Sequence, residues 1–152
     1  PTMSYYNKRF KPGNRVVAVT TTPLTITAAI HDGKVTTLGA TPIVATLPAA
    51  TGSGAEFNFF VATAATATVT SIAVANTTDV MAGRCFVATT SSDNAESFIT
   101  TATSDTISLN GTTTGGVVGD TIQIVDIASG KFSVLMWVSA TGTEATPFSA
   151  AV

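Results

Sequence analysis

Charge is what this sequence has least of. Only 11% of its 152 residues are Asp, Glu, Lys or Arg, against about a quarter in ordinary soluble domains. Most solvent-facing positions must therefore be filled by Thr, Ser and Ala. A formal net charge of −2 gives little repulsion between copies, which suits a chain whose surface is covered by other protein. The one cysteine, Cys85, excludes an intrachain disulfide framework and is compatible with assembly in a reducing cytoplasm. With a single histidine, His31, no thiolate or multi-histidine zinc site can be built within one chain. No apolar run approaches the roughly 18 residues of a membrane helix, and the opening PTMSYYNKRFKPG lacks the apolar stretch of a signal peptide. Neither membrane spanning nor secretion by that route is expected.

Leu, Glu, Lys and Gln are too sparse for a long amphipathic helix, whereas Thr, Val and Ile abound. Short β-branched and aromatic runs recur between Gly, Pro, Asn and Asp, the punctuation of a sandwich or barrel. The pattern predicts strands near 15–22, 24–30, 34–38, 42–47, 55–62, 66–75, 84–90, 96–101, 105–109, 120–127 and 131–139. This is an all-β fold, read from strand count as one antiparallel β-sandwich, jelly-roll-like, with residues 1–14 as an extended N-terminal arm and 15–152 as the sandwich domain. Phe57, Phe59 and Val61 alternate onto one face, and Phe132, Val134, Met136 and Val138 onto one face of the last long strand. These are the expected core. Leu135 and Trp137 lie opposite, so that strand is apolar on both sides, as befits a central strand or one whose outer face meets a partner.

Turn residues suggest hairpins at His31-Asp32-Gly33-Lys34, at Asn110-Gly111 and at Ser129-Gly130, with most pairing between chain neighbours. Residues 48–54 read as a loop, and 76–83 as at most one helical turn. The tail TGTEATPFSAAV carries a short apolar piece around Phe148 that pairs with a neighbour or tucks into its own sheet.

Chemistry has few places to reside. General acid–base and nucleophilic catalysis require convergent titratable groups, and one His, one Cys and nine scattered carboxylates do not supply them. The chain is read as a non-enzyme without cofactor. His31 reads as a solvated turn residue, and Cys85 as a small buried apolar one. Asp93, Asn94 and Glu96 offer oxygen ligands, but their spacing is not an EF-hand pattern and a solvated turn is the simpler reading. The glycines of 111–120 are followed by no Lys, as a phosphate loop would need. No acid occurs among the first 31 residues, while Lys8, Arg9, Lys11 and Arg15 carry four of the seven basic charges beside Tyr5, Tyr6 and Phe10. The arm is thus basic and aromatic on a mildly acidic body; four charges on a domain of pI near 5.1 are a weak footprint for nucleic acid, and an acidic protein surface accounts for them equally well.

The stretches TLPAATGSGAEFNFFV (46–61), IAVANTTDVMAG (72–83), TSDTISLNGTTTGGVVGDTIQIVDIASGKFSVLMW (103–137) and the closing TGTEATPFSAAV resemble the small β-rich capsid decoration, or cement, proteins of tailed bacteriophages. The resemblance covers about two-thirds of the chain and contains no catalytic or metal signature. It implies a virion structural protein, usually a homotrimer, made in the host cytoplasm and bound to the outer capsid surface, where it ties neighbouring copies of the major capsid protein together. On that reading Tyr5, Tyr6, Lys8, Arg9, Phe10, Lys11 and Arg15 bind the capsid, and Leu135, Trp137 and Phe148 form the subunit interface. The alternative is a phage fibre, spike or tail-associated domain that binds a host receptor or glycan, which aromatic residues on an exposed groove would favour. A small hydrolase on a β-scaffold is disfavoured by the scarcity of catalytic groups.

Overall fold

The computed structural model describes residues 15–66, 68–90, 94–141 and 143–152. Among them the β-branched and aromatic runs form twelve strands: β1 (Val16–Val19), β2 (Leu24–Thr25), β3 (Lys34–Leu38), β4 (Val44–Thr46), β5 (Glu56–Val61), β6 (Thr70–Ala73), β7 (Val80–Thr89), β8 (Ala95–Ile99), β9 (Thr106–Leu109), β10 (Thr121–Ala128), β11 (Lys131–Ala140) and β12 (Phe148–Ser149). One helical turn, α1 (Ala28–His31), separates β2 from β3. The expected arm, residues 1–14, lies outside the described residues, as does Asp93.

Two sheets pack into an all-β sandwich. The larger has the order β1-β3-β5-β10-β11-β7-β8, the smaller β12-β9-β6-β4-β2. Alternation decides which side chains meet between them. Phe57 and Phe59 of β5, Ile122 and Ile124 of β10, and Phe132, Val134 and Met136 of β11 are buried against Ile72 of β6 and Ile107 and Leu109 of β9. Burying a Phe or Ile fully is worth about 1.5–3 kcal/mol each, so this inner layer is the main source of stability.

The pairing departs from the antiparallel, jelly-roll-like expectation. Five of the ten strand pairings are parallel: β1 with β3, β3 with β5, β2 with β4, β4 with β6, and β7 with β11. Only β7–β8 and β10–β11 join strands consecutive in sequence. Of the three expected hairpins, Ser129-Gly130 does connect antiparallel neighbours, with Gly130 at φ 76°. His31–Lys34 instead links α1 to β3, and Asn110-Gly111 leaves β9 for a strand of the other sheet. The reason is topological. A parallel partner needs a crossover, and the chain repeatedly crosses between the layers rather than folding back on itself.

Two further expectations are corrected and one open alternative is resolved. His31 is 3% exposed, not solvated: its Nδ1 lies 3.1 Å from the Thr27 backbone nitrogen at the start of α1. Residues 76–78 form bends stabilised by Asn76, whose Oδ1 accepts from the N–H of Thr78 and of Asp79, and β7 begins at Val80. Of the two readings left open for Phe148, the fold takes the second: it packs in the chain's own core, where β12 pairs with β9, and its ring is buried rather than offered on the outer surface.

Candidate interaction face

The two outer faces differ in chemistry. On the smaller sheet the outward positions are mostly short and polar: Thr25, Thr46, Ser71, Ser108 and Ser149, with Val44 and Ala73 as the apolar exceptions. On the larger sheet, register aligns two rows of outward residues across all seven strands. One row runs Val16, Val35, Asn58, Gln123, Leu135, Arg84, Ile99; the next runs Ala18, Thr37, Phe60, Thr121, Trp137, Phe86, Ser97. Apolar side chains predominate in the first row and aromatic ones cluster in the second.

Three of these are well exposed for apolar side chains: Val16 at 59%, Trp137 at 57% and Ile99 at 71%. Phe86 stacks on Trp137 with ring centroids 4.6 Å apart and planes 20° from parallel. Such a pair contributes about 0.5–1.5 kcal/mol beyond its buried area and holds the indole in one orientation. On one side of Trp137 lies a groove of about 330 Å³ containing Val35, Asn58, Phe60, Gln123 and Leu135. On the other is a second, of about 370 Å³, containing Phe86, Ala88, Ala95 and Val118. Leu135 and Trp137 therefore sit on a strand that is central within its sheet yet uncovered on its outer face. Exposed apolar patches of this kind mark contact sites.

Polar groups are concentrated at one end of the first groove. Gln123 Nε2 and Asn58 Nδ2 donate to Glu56 Oε1 at 2.8 and 3.0 Å. The bonds from Gln123 and then Asn58 pull the Glu56 pKa below its ordinary value against a smaller burial effect, so a carboxylate lies behind these two lining amides.

Five other acids, Asp32, Asp79, Asp105, Asp120 and Asp126, work as latches. Asp126 accepts from the backbone N–H of Thr51, Gly52 and Ser53 and from the hydroxyls of Thr51 and Ser53, tying loop 48–54 to β10. Asp79 accepts from Ala50 N–H and Asn76 Nδ2. Asp120 accepts from the N–H of Gly116, Val117 and Ser139, and Asp105 from Ala151 N–H and the Thr106 hydroxyl. Asp32 accepts from Glu56 N–H. Carboxylates engaged in this way position backbone rather than present themselves to a substrate. Cys85 is fully buried, and burial together with the negative charge of Asp120 pushes its thiol up to about 12; a thiol so far from its thiolate is a poor nucleophile.

Of the residues expected to bind partners, Arg15 lies exposed just before β1 and Leu135 and Trp137 on the outer face. Tyr5, Tyr6, Lys8, Arg9, Phe10 and Lys11 lie outside the described residues. The sequence reading missed Val35, Asn58, Phe60, Phe86 and Gln123, because their convergence depends on strand order. A signal was present in β5, where Phe60 follows Phe59 and puts one aromatic ring on a face otherwise occupied by Glu56 and Asn58.

Comparison with family models, with curated proteins and with solved structures gives no match.

Proposed function

We propose that the chain is a virion structural protein, a capsid decoration subunit that binds the outer surface of the major capsid lattice and cements it. The observation that carries this reading is the difference between the two outer faces of one weakly charged sandwich. One is coated with Ser and Thr, while the other presents the Trp137–Phe86 stack and the apolar row through Leu135. The employment of five of the aspartates as backbone latches supports a non-catalytic role. In this reading the outer face around Leu135 and Trp137 packs against sister copies in a homotrimer. Residues 1–14 with Arg15 reach the capsid, Tyr5, Tyr6 and Phe10 filling pockets and the basic side chains meeting acidic rims. A subunit that binds only the assembled lattice stabilises it by mass action.

The test is add-back to capsids that lack the protein. The full chain binds and raises the temperature at which the shells open; a chain without residues 1–14 stays folded and does not bind. Undiminished binding by the shortened chain rejects the role given to the arm, and failure of the full chain to bind any such shell rejects the function.

The groove beside Trp137 also favours the second reading, a fibre, spike or tail-associated domain that binds a host receptor or glycan. An exposed indole beside Asn58 and Gln123 offers a stacking surface and amide groups to a sugar ring. Specific retention on a glycan array, lost in Trp137→Ala, would select it over the first.

A further inference from the structure

We infer that the outer face of the larger sheet consists of two complementary halves, and that the β1-β3-β5 half of one copy packs on the β11-β7-β8 half of the next, with Glu56 of the first between Arg84 and Lys131 of the second. The inference rests on the reading that this face joins sister copies and adds which residues meet there. Its test is made on the free protein, apart from any capsid.

Charge divides the face. Along the seven strands the outward charged residues are Glu56 on β5, Arg84 on β7 and Lys131 on β11. The acid stands in one half and both bases in the other. β5 and β7 are three strand spacings apart in the sheet, about 14 Å before any offset along the strands, so Glu56 and Arg84 do not reach each other within one chain. The Glu56 carboxylate takes amide donors from Gln123 and Asn58 instead, and among the described residues neither Arg84 nor Lys131 meets an acid. Opposite charges held apart on one face are brought together by a second copy of that face.

Height along the strands agrees with charge. β5 and β11 both run antiparallel to β10, and β7 runs parallel to β11, so β5, β11 and β7 point the same way and a rotation axis along the strands leaves every residue at its own level. Register puts Phe60 level with Trp137 and Phe86, and Glu56 level with Ser133 and Ala82. Face to face, Phe60 of one copy therefore meets the Trp137–Phe86 stack of the next. Glu56 arrives where the next copy has two small side chains, with Arg84 one two-residue step away on one side and Lys131 one step away on the other, each about 7 Å along the strand, a distance that the long side chains of Arg and Lys close. The margins match too: the row through Arg84 ends in Val16 and Val35 at one edge and in Ile99 at the other. Each half fits the other and neither fits itself, since like halves would set Glu56 against Glu56 or base against base. Contact between two different patches is heterologous and closes by rotation into a ring, here of three copies. A sugar would use the amides of Asn58 and Gln123 and leave both bases unmatched, so the second copy is the better occupant.

A charge swap in the full chain, read by sedimentation equilibrium over a dilution series, tests the pairing. Glu56→Arg and Arg84→Glu each set like charges across the contact and should each raise the subunit dissociation constant at least about tenfold at low salt, less at high salt. The double variant should recover most of that loss, which a purely internal role for Glu56 would not allow. Glu56→Gln and Arg84→Gln, which delete a charge without reversing it, should act in the same direction with smaller size and serve if a reversal disturbs the circular dichroism. Mixing the two single reversals should restore less than the double variant does, because contacts cannot alternate in sign around a ring of three; full restoration would mean a two-fold pair and overturn the ring. Unchanged association in the single variants, a double variant weakened by the product of both, or a wild-type chain monomeric at micromolar concentration would overturn the inference whether or not capsids bind the protein. Failure to bind capsids with the charge coupling intact would reject the proposed function alone.

Discussion

Asp126 shows at residue scale how this chain uses its few charges. Burial alone would raise its pKa, but donors from Ser53, Gly52 and Thr51 prevail and hold it at about 2, below the usual 3.8. A carboxyl whose folded pKa is depressed adds stability above its unfolded pKa and loses it as pH falls through the folded one. Unfolding midpoints in urea should therefore hold above about pH 4 and fall towards pH 2, and Asp126→Asn should flatten that fall. Asp126→Ala, which strands several backbone donors, should cost about 2 kcal/mol and lower the Tm by about 4–8 °C; an unchanged Tm would mean that loop 48–54 does not depend on the latch. Trp137→Ala should cost stability mainly the roughly 0.5–1.5 kcal/mol of its stack on Phe86 while abolishing whatever contact the outer face makes. Cys85 should resist thiol reagents in the native state and react only on denaturation, as a labelling time course would show.

Among the elements, the parallel pair β7–β11 is the most exacting. A Cβ on Gly83 would stand 1.8 Å from the Val134 carbonyl oxygen, a backbone atom that cannot step aside. Gly83→Ala should therefore break the β7–β11 pairing inside the larger sheet and leave little soluble protein, while Gly54→Ala, with open space around the Cβ, should fold with only the strain of its φ of 76°; expression and circular dichroism separate the two. How much of this was legible follows from what periodicity encodes. Alternation reports faces, so the inward sets of β5 and β11 and the Ser129-Gly130 hairpin could be read directly. It does not report partners, which is why the turn residues at His31–Lys34 suggest a hairpin where the chain instead crosses between layers to build the parallel pairs β1–β3–β5 and β2–β4–β6. His31 was placed in a turn because its neighbours are turn formers, yet tertiary packing closed a helical turn there and buried the ring. For the site, Leu135 and Trp137 were visible as the wrong-side apolar residues of a long strand. Val35, Phe60 and Phe86 were not, since only strand order puts them in line.

At the scale of the whole molecule, the two outer faces divide the work. The Ser/Thr face can meet water without charge, because short hydroxyl side chains hydrogen-bond to solvent. The Trp137 face is better satisfied by protein. If it joins sister copies, light scattering should give three chains per particle at micromolar concentration, and a charged substitution such as Leu135→Asp should yield folded monomers; a wild-type monomer would remove the trimer from the account. The most direct test of the proposed role is electron cryomicroscopy of capsids to which the chain has been added. The account predicts density for the sandwich on the outer shell, with Phe60, Phe86 and Trp137 covered by protein. A shell without that density, or a bound sandwich whose Trp137 face looks into solvent, would contradict it.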